Sequence, residues 1–195
     1  MKKIFFIVVT FLVILPFANA QEENKFRIGL DLGYVIPDAG EGVLVALEST
    51  YNIGSNMNIG FRIENSLAVK DVNFTNSIVE TDLTSSLSFL GTFDQYFNNK
   101  GSIFSPFLGI GVGYISLADI RFEFQGDDTI PDAEATGKFG GLIRAGFELG
   151  KLRFTTSYNL IGESQVEIEN DIADIKNSYF GISLGFYIGG GKWKK

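Results

Sequence analysis

The stretch Tyr179-Phe180-Gly181-Ile182-Ser183-Leu184-Gly185-Phe186-Tyr187-Ile188 alternates large apolar residues with small, polar or tyrosine residues. Successive side chains of a β-strand point to opposite faces of the sheet, so each set occupies one face. One face carries Phe180, Ile182, Leu184, Phe186 and Ile188, and the other carries Tyr179, Gly181, Ser183, Gly185 and Tyr187. This pattern predicts a strand with one strongly apolar face.

Seven further stretches repeat the pattern, and the chain after its first twenty residues contains no long apolar run. The predicted strands are Phe26–Val35, Val43–Ile53, Met57–Val69, Ile78–Phe97, a strand from Ile103 through Phe124, Gly137–Leu149, a strand from Leu152 to Leu160, and Tyr179–Ile188. Eight alternating segments joined by turn residues predict an all-β protein, an eight-stranded antiparallel up-and-down transmembrane β-barrel.

The predicted connections alternate in length. Short turns follow the second, fourth and sixth strands, at Gly54-Ser55-Asn56, Asn98–Gly101 and Gly150-Lys151. Long polar loops follow the first, third, fifth and seventh strands, including Lys70–Ser77, Gln125–Thr136 and the segment between Gly162 and Asn177. Outer-membrane barrels have short periplasmic turns and longer extracellular loops. We therefore expect the amino terminus to lie on the periplasmic side.

Residues 1–20 have the composition of a secretory signal peptide. Lys2 and Lys3 precede an apolar segment from Ile4 to Phe17, and Ala18-Asn19-Ala20 forms a small-x-small cleavage site. The apolar segment is shorter than the ~20 residues of a spanning helix. Residues 21–195 are predicted to form one barrel domain, and the absence of cysteine excludes a lipid-modified cysteine and disulfides. The expected location is the cell outer membrane.

Alternation alone leaves two orientations open, because a soluble lipocalin-like barrel turns its apolar face inward around a lipid ligand. Glycines on the polar face favour the membrane orientation, since they relieve crowding in a narrow lumen. The apolar face also carries more large side chains than an eight-stranded interior holds. The predicted lipid-facing residues are Phe26, Ile28, Leu30, Leu32, Tyr34, Phe61, Phe89, Leu108, Ile110, Val112, Phe139, Phe147, Phe154, Tyr158, Phe180, Ile182, Leu184 and Phe186.

The opposite face carries charges of both signs. We expect them to pair into a network that plugs the lumen, because isolated charges in a narrow, partly dry interior are costly. A narrow passive channel for ions or small solutes through the same residues is the alternative. The predicted network contains Arg27, Asp31, Glu48, Arg62, Glu64, Glu80, Asp82, Asp94, Lys138, Arg144, Glu148 and Arg153.

The composition gives little support to catalysis. The chain contains no histidine and no cysteine, which removes histidine-dependent nucleophile systems and histidine-based zinc sites. The prediction is therefore a protein that is not an enzyme, with no cofactor and no metal site. A net charge of -7 also argues against nucleic acid as a partner. Acidic clusters in the third and fourth loops are candidates for divalent cations or lipopolysaccharide, although no calcium-loop spacing is present.

The stretches Pro106–Tyr114 and Tyr179–Ile188 resemble the small bacterial outer-membrane β-barrel (porin-like) family of the Bacteroidetes type. The architecture is similar to that of the OmpX and OmpA barrel domains. The resemblance covers the whole exported chain and implies a fold rather than an activity. It also implies that the last strand, with Phe186 and Tyr187, is recognised by the barrel-insertion machinery.

The predicted function is an integral outer-membrane protein with a structural or surface-interaction role, in envelope integrity, adhesion or binding through the loops. Outer-membrane lipids are the expected surroundings, and a monomer is the expected state. A narrow channel and a soluble lipid-binding barrel are the two alternatives.

Overall fold

The computed structural model describes residues 23–37, 40–73, 79–97, 103–121, 133–162, 164–168, 171–175 and 177–190. The predicted signal peptide, residues 1–20, and the predicted turn Asn98–Gly101 lie outside these ranges. Within the described ranges, no helix has the length and apolar character needed to cross a bilayer.

The described residues form ten strands: β1 Phe26–Pro37, β2 Glu41–Gly54, β3 Met57–Asn73, β4 Val79–Tyr96, β5 Phe104–Arg121, β6 Ala133–Leu149, β7 Leu152–Ile161, β8 Ser164–Ile168, β9 Asp171–Ile175 and β10 Tyr179–Gly189. Eight of them close an antiparallel barrel in the order β1-β10-β7-β6-β5-β4-β3-β2, while β8 and β9 form a separate hairpin. The predicted eight-stranded antiparallel barrel is confirmed. It closes where β1 pairs with β10 from Arg27–Gly189 to Pro37–Tyr179.

The pairing register tilts the strands around the barrel. Paired residues traced from Phe26, strand by strand, return to β1 at Ile36, ten residues further along the chain. The path passes through Tyr51, Ile59, Phe93, Ile110, Ile143, Tyr158 and Phe180. Such a stagger accompanies a strand tilt of roughly 35–45°. Because every residue on this path is apolar or aromatic, one face of the sheet is apolar around its whole circumference.

Several strands are longer than their alternation predicts. Only residues 38–40 separate β1 from β2, so the long loop predicted after the first strand is wrong. Lys70–Asn73, predicted as loop, belongs to β3, and β6 begins at Ala133 rather than Gly137. In each case the partner strand continues too, as in the pairs Asn73–Val79 and Ile120–Ala133. Continued pairing satisfies backbone groups that a loop would leave to water.

The connection between β7 and β10 also differs from its prediction as an acidic loop, since it contains the β8–β9 hairpin. At the opposite end, Gly54 and Met57 flank the predicted tight turn. Gly150 and Lys151 form the other, where Gly150 adopts a φ of 64° that suits glycine. Residues 97–103 join β4 to β5, so the lengths of the connections alternate less regularly than expected. We call the end of the barrel that carries the connection between β7 and β10 the loop end. The end with the β2–β3 and β6–β7 turns is called the turn end.

Candidate functional site

The lumen is the candidate functional site. Among the side chains that the structure describes, alternation along the barrel strands turns nine charged ones into the interior, all of them at most 4% exposed. We call this set the lumen cluster; it consists of Arg27, Asp31, Glu48, Arg62, Glu64, Asp94, Arg144, Glu148 and Arg153. It occupies the half of the lumen nearer the turn end.

Glu48 lies at the centre of the lumen cluster. Nη2 and Nη1 of Arg144 donate to its two carboxylate oxygens at 2.6 and 2.9 Å, and Nη1 of Arg62 donates at 3.3 Å. The hydroxyls of Thr92 and Tyr187 also donate to Glu48, at 2.7 and 3.0 Å. Five donors on one fully buried carboxylate offset the cost of removing it from water.

Arg144 also binds Asp94 across an intervening strand. Nε and Nη2 of Arg144 on β6 lie 2.8 and 2.9 Å from the carboxylate oxygens of Asp94 on β4. Gly109 of β5 pairs with both residues in the register, so the ion pair passes directly over it. A Cβ atom there would collide with Asp94 Oδ1 and approach Arg144 Cγ to 3.0 Å. The glycine thus leaves the space that the ion pair occupies.

At the turn end of the lumen cluster, Arg27 and Arg153 bind carboxylates, and Arg153 also stacks on an aromatic ring. Arg27 donates to both oxygens of Glu148, at 2.5 and 3.1 Å, and Tyr96 donates to the same carboxylate at 2.7 Å. The guanidinium of Arg153 donates to Asp94 at 2.8 Å and lies 3.9 Å from the ring centroid of Phe107. A guanidinium over an aromatic face is attracted by the ring's negative potential. Buried aromatic rings therefore serve as partners of the arginines.

Arg62 forms ion pairs with three carboxylates on one side of the lumen, which we call the acid-rich side. It donates to Asp31 and Glu48 through Nη1, and to Glu64 through Nε at 2.8 Å. Glu64 receives a further bond from the Tyr179 hydroxyl at 2.8 Å. Asp31 Oδ1 is buried without a hydrogen-bond partner. The cluster holds five carboxylates and four guanidiniums, and this side carries the excess negative charge.

An apolar layer lies above the cluster, toward the loop end. Each of the eight barrel strands contributes at least one buried side chain to it. We call this layer the apolar septum; it consists of Val35, Leu44, Ala46, Ala68, Leu90, Ile115, Leu117, Leu142, Ile161 and Tyr179. Side chains from the full circumference thus meet in the lumen. Constrictions of this kind oppose the entry of hydrated ions.

The chemistry available in this lumen is the pairing of fixed charges. Among the residues that the structure describes, no group of three or more histidine, cysteine or acidic side chains is arranged to hold a metal ion. Each carboxylate of the cluster is engaged by at least one arginine. Such an arrangement rigidifies the barrel interior rather than presenting a reactive group.

The structure is similar to solved outer-membrane proteins. Neisserial surface protein A matches with a TM-score of 0.56 and 13% identity, over 85% of this chain and 99% of that chain. The outer membrane protein OprG from Pseudomonas aeruginosa matches with a TM-score of 0.51 and 12% identity, over 88% and 99%. The chain has the fold of small outer-membrane β-barrels. No protein-family model matches the sequence, and no curated protein is significantly similar to it.

In this outer-membrane barrel fold, the predicted lumen residues fall into three groups. Nine form the lumen cluster. Lys138 lies at the loop end of β6, where its Nζ donates to the Gly162 carbonyl at 3.4 Å. The side chains of Glu80 and Asp82 lie outside the described part of the structure.

The residues predicted to face lipid lie on the outer surface. Their exposure runs from 36% for Ile182 to 84% for Phe139. Phe147 is half-buried instead, because the rings of Phe104 and Phe154 lie 5.2 and 5.4 Å from its own. The apolar face thus points away from the lumen, opposite to its orientation in a lipocalin-like barrel.

Sequence reasoning did not assign two parts of the lumen. The first part consists of three tyrosine hydroxyls that donate hydrogen bonds to the lumen carboxylates, those of Tyr96, Tyr179 and Tyr187. The sequence placed Tyr179 and Tyr187 on the polar face of the final strand but assigned them no role. The apolar septum was missed altogether. The sequence does contain an indication of it, since leucine replaces a polar residue or glycine at some positions of the inward face. Leu44, Leu90 and Leu142 are examples.

Proposed function

We propose that this chain is an integral outer-membrane protein whose barrel is closed to solutes and whose loop end contacts molecules outside the cell. The observation that carries the proposal is the distribution of polarity. Charged side chains fill the half of the interior nearer the turn end, and large apolar side chains cover the outer surface. This is the reverse of a water-soluble protein and matches the lipid-exposed surface of membrane barrels.

Aromatic contacts on the outer surface support a membrane location. Near the turn end, Phe26 and Tyr51 have ring centroids 4.8 Å apart. Near the loop end, the rings of Tyr114 and Phe139 meet edge to face at 6.0 Å. Aromatic side chains concentrate at the two interfaces of a bilayer. In this proposal outer-membrane lipids surround the band between the two groups.

The proposal includes a closed lumen. The lumen cluster fills one half of the interior and the apolar septum the other, so a solute would have to separate ion pairs and wet an apolar layer. This supports a structural or surface-contact role, in envelope integrity, adhesion or binding, over the alternative of a narrow passive channel.

Export, insertion and assembly complete the proposal. We propose that residues 1–20 are a cleaved signal peptide and that the barrel-insertion machinery recognises β10, which closes the barrel against β1. Ring closure leaves no unpaired edge between the barrel strands, which supports a monomer. Divalent cations and lipopolysaccharide are proposed partners of the acidic loops. We also propose assignment to the porin-like family of the Bacteroidetes type.

Two experiments test the proposal. Membranes of expressing cells are extracted with detergent, and gel mobility is compared before and after boiling. We expect the protein in the detergent-extracted membrane fraction with heat-modifiable mobility, and recovery of folded protein in the aqueous fraction would contradict a membrane location. Recordings in planar bilayers then test the lumen. Discrete conductance steps would favour the channel.

A further inference from the structure

Strand β6 extends further toward the loop end than its neighbour β7. The last pair between the two strands is Gly140–Ile161, whereas β6 continues for seven more residues to Ala133. Along residues 133–137, β5 is the one described strand that pairs with β6. We call residues 133–137 the β6 edge. Such an edge presents backbone N–H and C=O groups to which another strand can bond.

Strand β8 begins at the position where it would continue β7 along the β6 edge. In an antiparallel register, each step forward on one strand is a step back on the other. Counted onward from the pair Gly140–Ile161, residues 164–168 therefore fall opposite residues 137–133. These five residues are strand β8, Ser164–Ile168, and its last residue falls opposite the first residue of β6. Strand and edge thus match in length and in position.

The alternation of β8 is also in phase with that of β7. Leu160 of β7 lies on the outer face of the barrel and is 44% exposed. Counted in twos from Leu160, Val166 and Ile168 take positions of the outer face, and Gln165 and Glu167 take positions of the inner face. A β8 placed beside the β6 edge would therefore continue the apolar outer face and the polar inner face of the barrel wall.

Side chains interrupt the ladder where β7 ends. Ser178 Oγ accepts a hydrogen bond from the Ile161 N–H at 3.1 Å and donates one to the Ile161 carbonyl at 3.2 Å. Asn177 Nδ2 and Lys138 Nζ donate to the Gly162 carbonyl at 2.8 and 3.4 Å. Since Lys138 belongs to β6, the chain that leaves β7 still lies beside β6. From Gly162, one further residue leads to β8.

We propose that β8 docks on the β6 edge, so that the β8–β9 hairpin is a strap with two positions, docked and apart. Among the described strands β8 pairs with β9 alone, and the structure thus shows the strap apart from the edge. A connection of two residues keeps the entropic cost of docking small. The docked strap withdraws the β6 edge from other molecules, a control of the loop end that goes beyond the proposed function.

Like charges oppose docking. The docked register places Glu167 opposite Glu134, and Glu134 already pairs with Asp119 of β5. Like charges at directly opposite positions destabilise a pair of strands. Removal of the charge of Glu167 should therefore raise the docked fraction. Removal of the charge of Asp174 should not, because β9 lies one strand further from β6 in the docked strap.

Disulfide trapping tests the docked register in the full chain, which contains no cysteine of its own. Ala135→Cys with Val166→Cys places two thiols at directly opposite positions, within the reach of a disulfide. Ala133→Cys with Ser164→Cys is the control, since its positions are four residues, or ~13 Å, out of register. Each variant is folded in lipid vesicles, checked for heat-modifiable mobility and oxidised, and linked peptides are quantified by mass spectrometry. We expect roughly tenfold more disulfide in the first pair.

The charge variants are compared in the background of the first cysteine pair. Glu167→Gln should raise the rate of disulfide formation about twofold, and Asp174→Asn should leave it unchanged. Equal yields in the two cysteine pairs, or no disulfide in either, would overturn the proposal. Disulfides between chains would also overturn it and would assign the β6 edge to a second copy. Heat-modifiable mobility in the same samples separates these failures from a failure of the membrane barrel itself.

Discussion

Arg144 and Asp94 form a bidentate ion pair across a strand that lies between them. Nε and Nη2 of Arg144 donate to Oδ1 and Oδ2 of Asp94 at 2.8 and 2.9 Å. The intervening residue is Gly109, which pairs with Asp94 on one side and with Arg144 on the other. Two strands that share no backbone hydrogen bonds are thereby joined through the lumen. Interactions of this kind make the barrel interior a single connected unit.

Gly109→Ala should destabilise the barrel, because the added methyl group collides with the Asp94 carboxylate and displaces the ion pair. The expected loss is about 1–3 kcal/mol, typical of overpacking in a tight interior. Gly91→Ala is the matched control. Gly91 lies on the outer face of β4, where an added Cβ finds its nearest neighbour at 3.8 Å. Urea unfolding in lipid vesicles measures both, and equal losses would contradict the role assigned to Gly109.

Arg144→Ala should cost about 3–5 kcal/mol, because it leaves Glu48 and Asp94 without a shared guanidinium in the interior. Lys138→Ala is the control, since Lys138 lies at the loop end of the same strand. We expect its free energy of unfolding to change by less than about 1 kcal/mol. A loss for Lys138→Ala as large as that for Arg144→Ala would show that the lumen cluster is not the stabilising unit.

The excess of carboxylates predicts an asymmetry between two aspartates. Asp31→Asn removes a charge from the acid-rich side and leaves Arg62 bound to Glu48 and Glu64. Asp94→Asn removes the shared partner of Arg144 and Arg153. We expect Asp94→Asn to lose about 3–5 kcal/mol and Asp31→Asn clearly less. Unfolding curves that rank the two in the opposite order would refute this reading of the charge balance.

Ile110→Arg tests the orientation of the outer face. Ile110 is 58% exposed and is the seventh residue of the 18-residue strand β5, so an arginine there would enter the hydrocarbon. The expected cost is about 2–4 kcal/mol, with impaired assembly. Ile103→Arg, at the turn end, should cost at most about 1 kcal/mol because it lies near the interface. The fraction of heat-modifiable protein in membranes measures both, and normal assembly of Ile110→Arg would contradict contact with lipid.

The number of barrel strands and the faces of their side chains could be read from alternation alone. The final strand illustrates why: Phe186 and Tyr187 are neighbours in sequence, yet a strand must send them to opposite faces. Strand ends were harder to predict. Lys70–Asn73 is polar and resembles a loop, but it pairs with β4 because the partner strand continues beside it. The β8–β9 hairpin was missed because its acidic residues obscured the alternation of Val166, Ile168 and Ile172.

By itself the sequence determined eight strands, each with one apolar and one polar face, because a period of two follows from strand geometry and is local to each segment. Which charges meet was decided only by the tertiary structure. Arg27 and Glu148 lie far apart in the chain, and Asp94 reaches Arg144 only over Gly109. Those encounters depend on the ten-residue stagger with which the barrel closes, a property of the whole ring that no single strand contains.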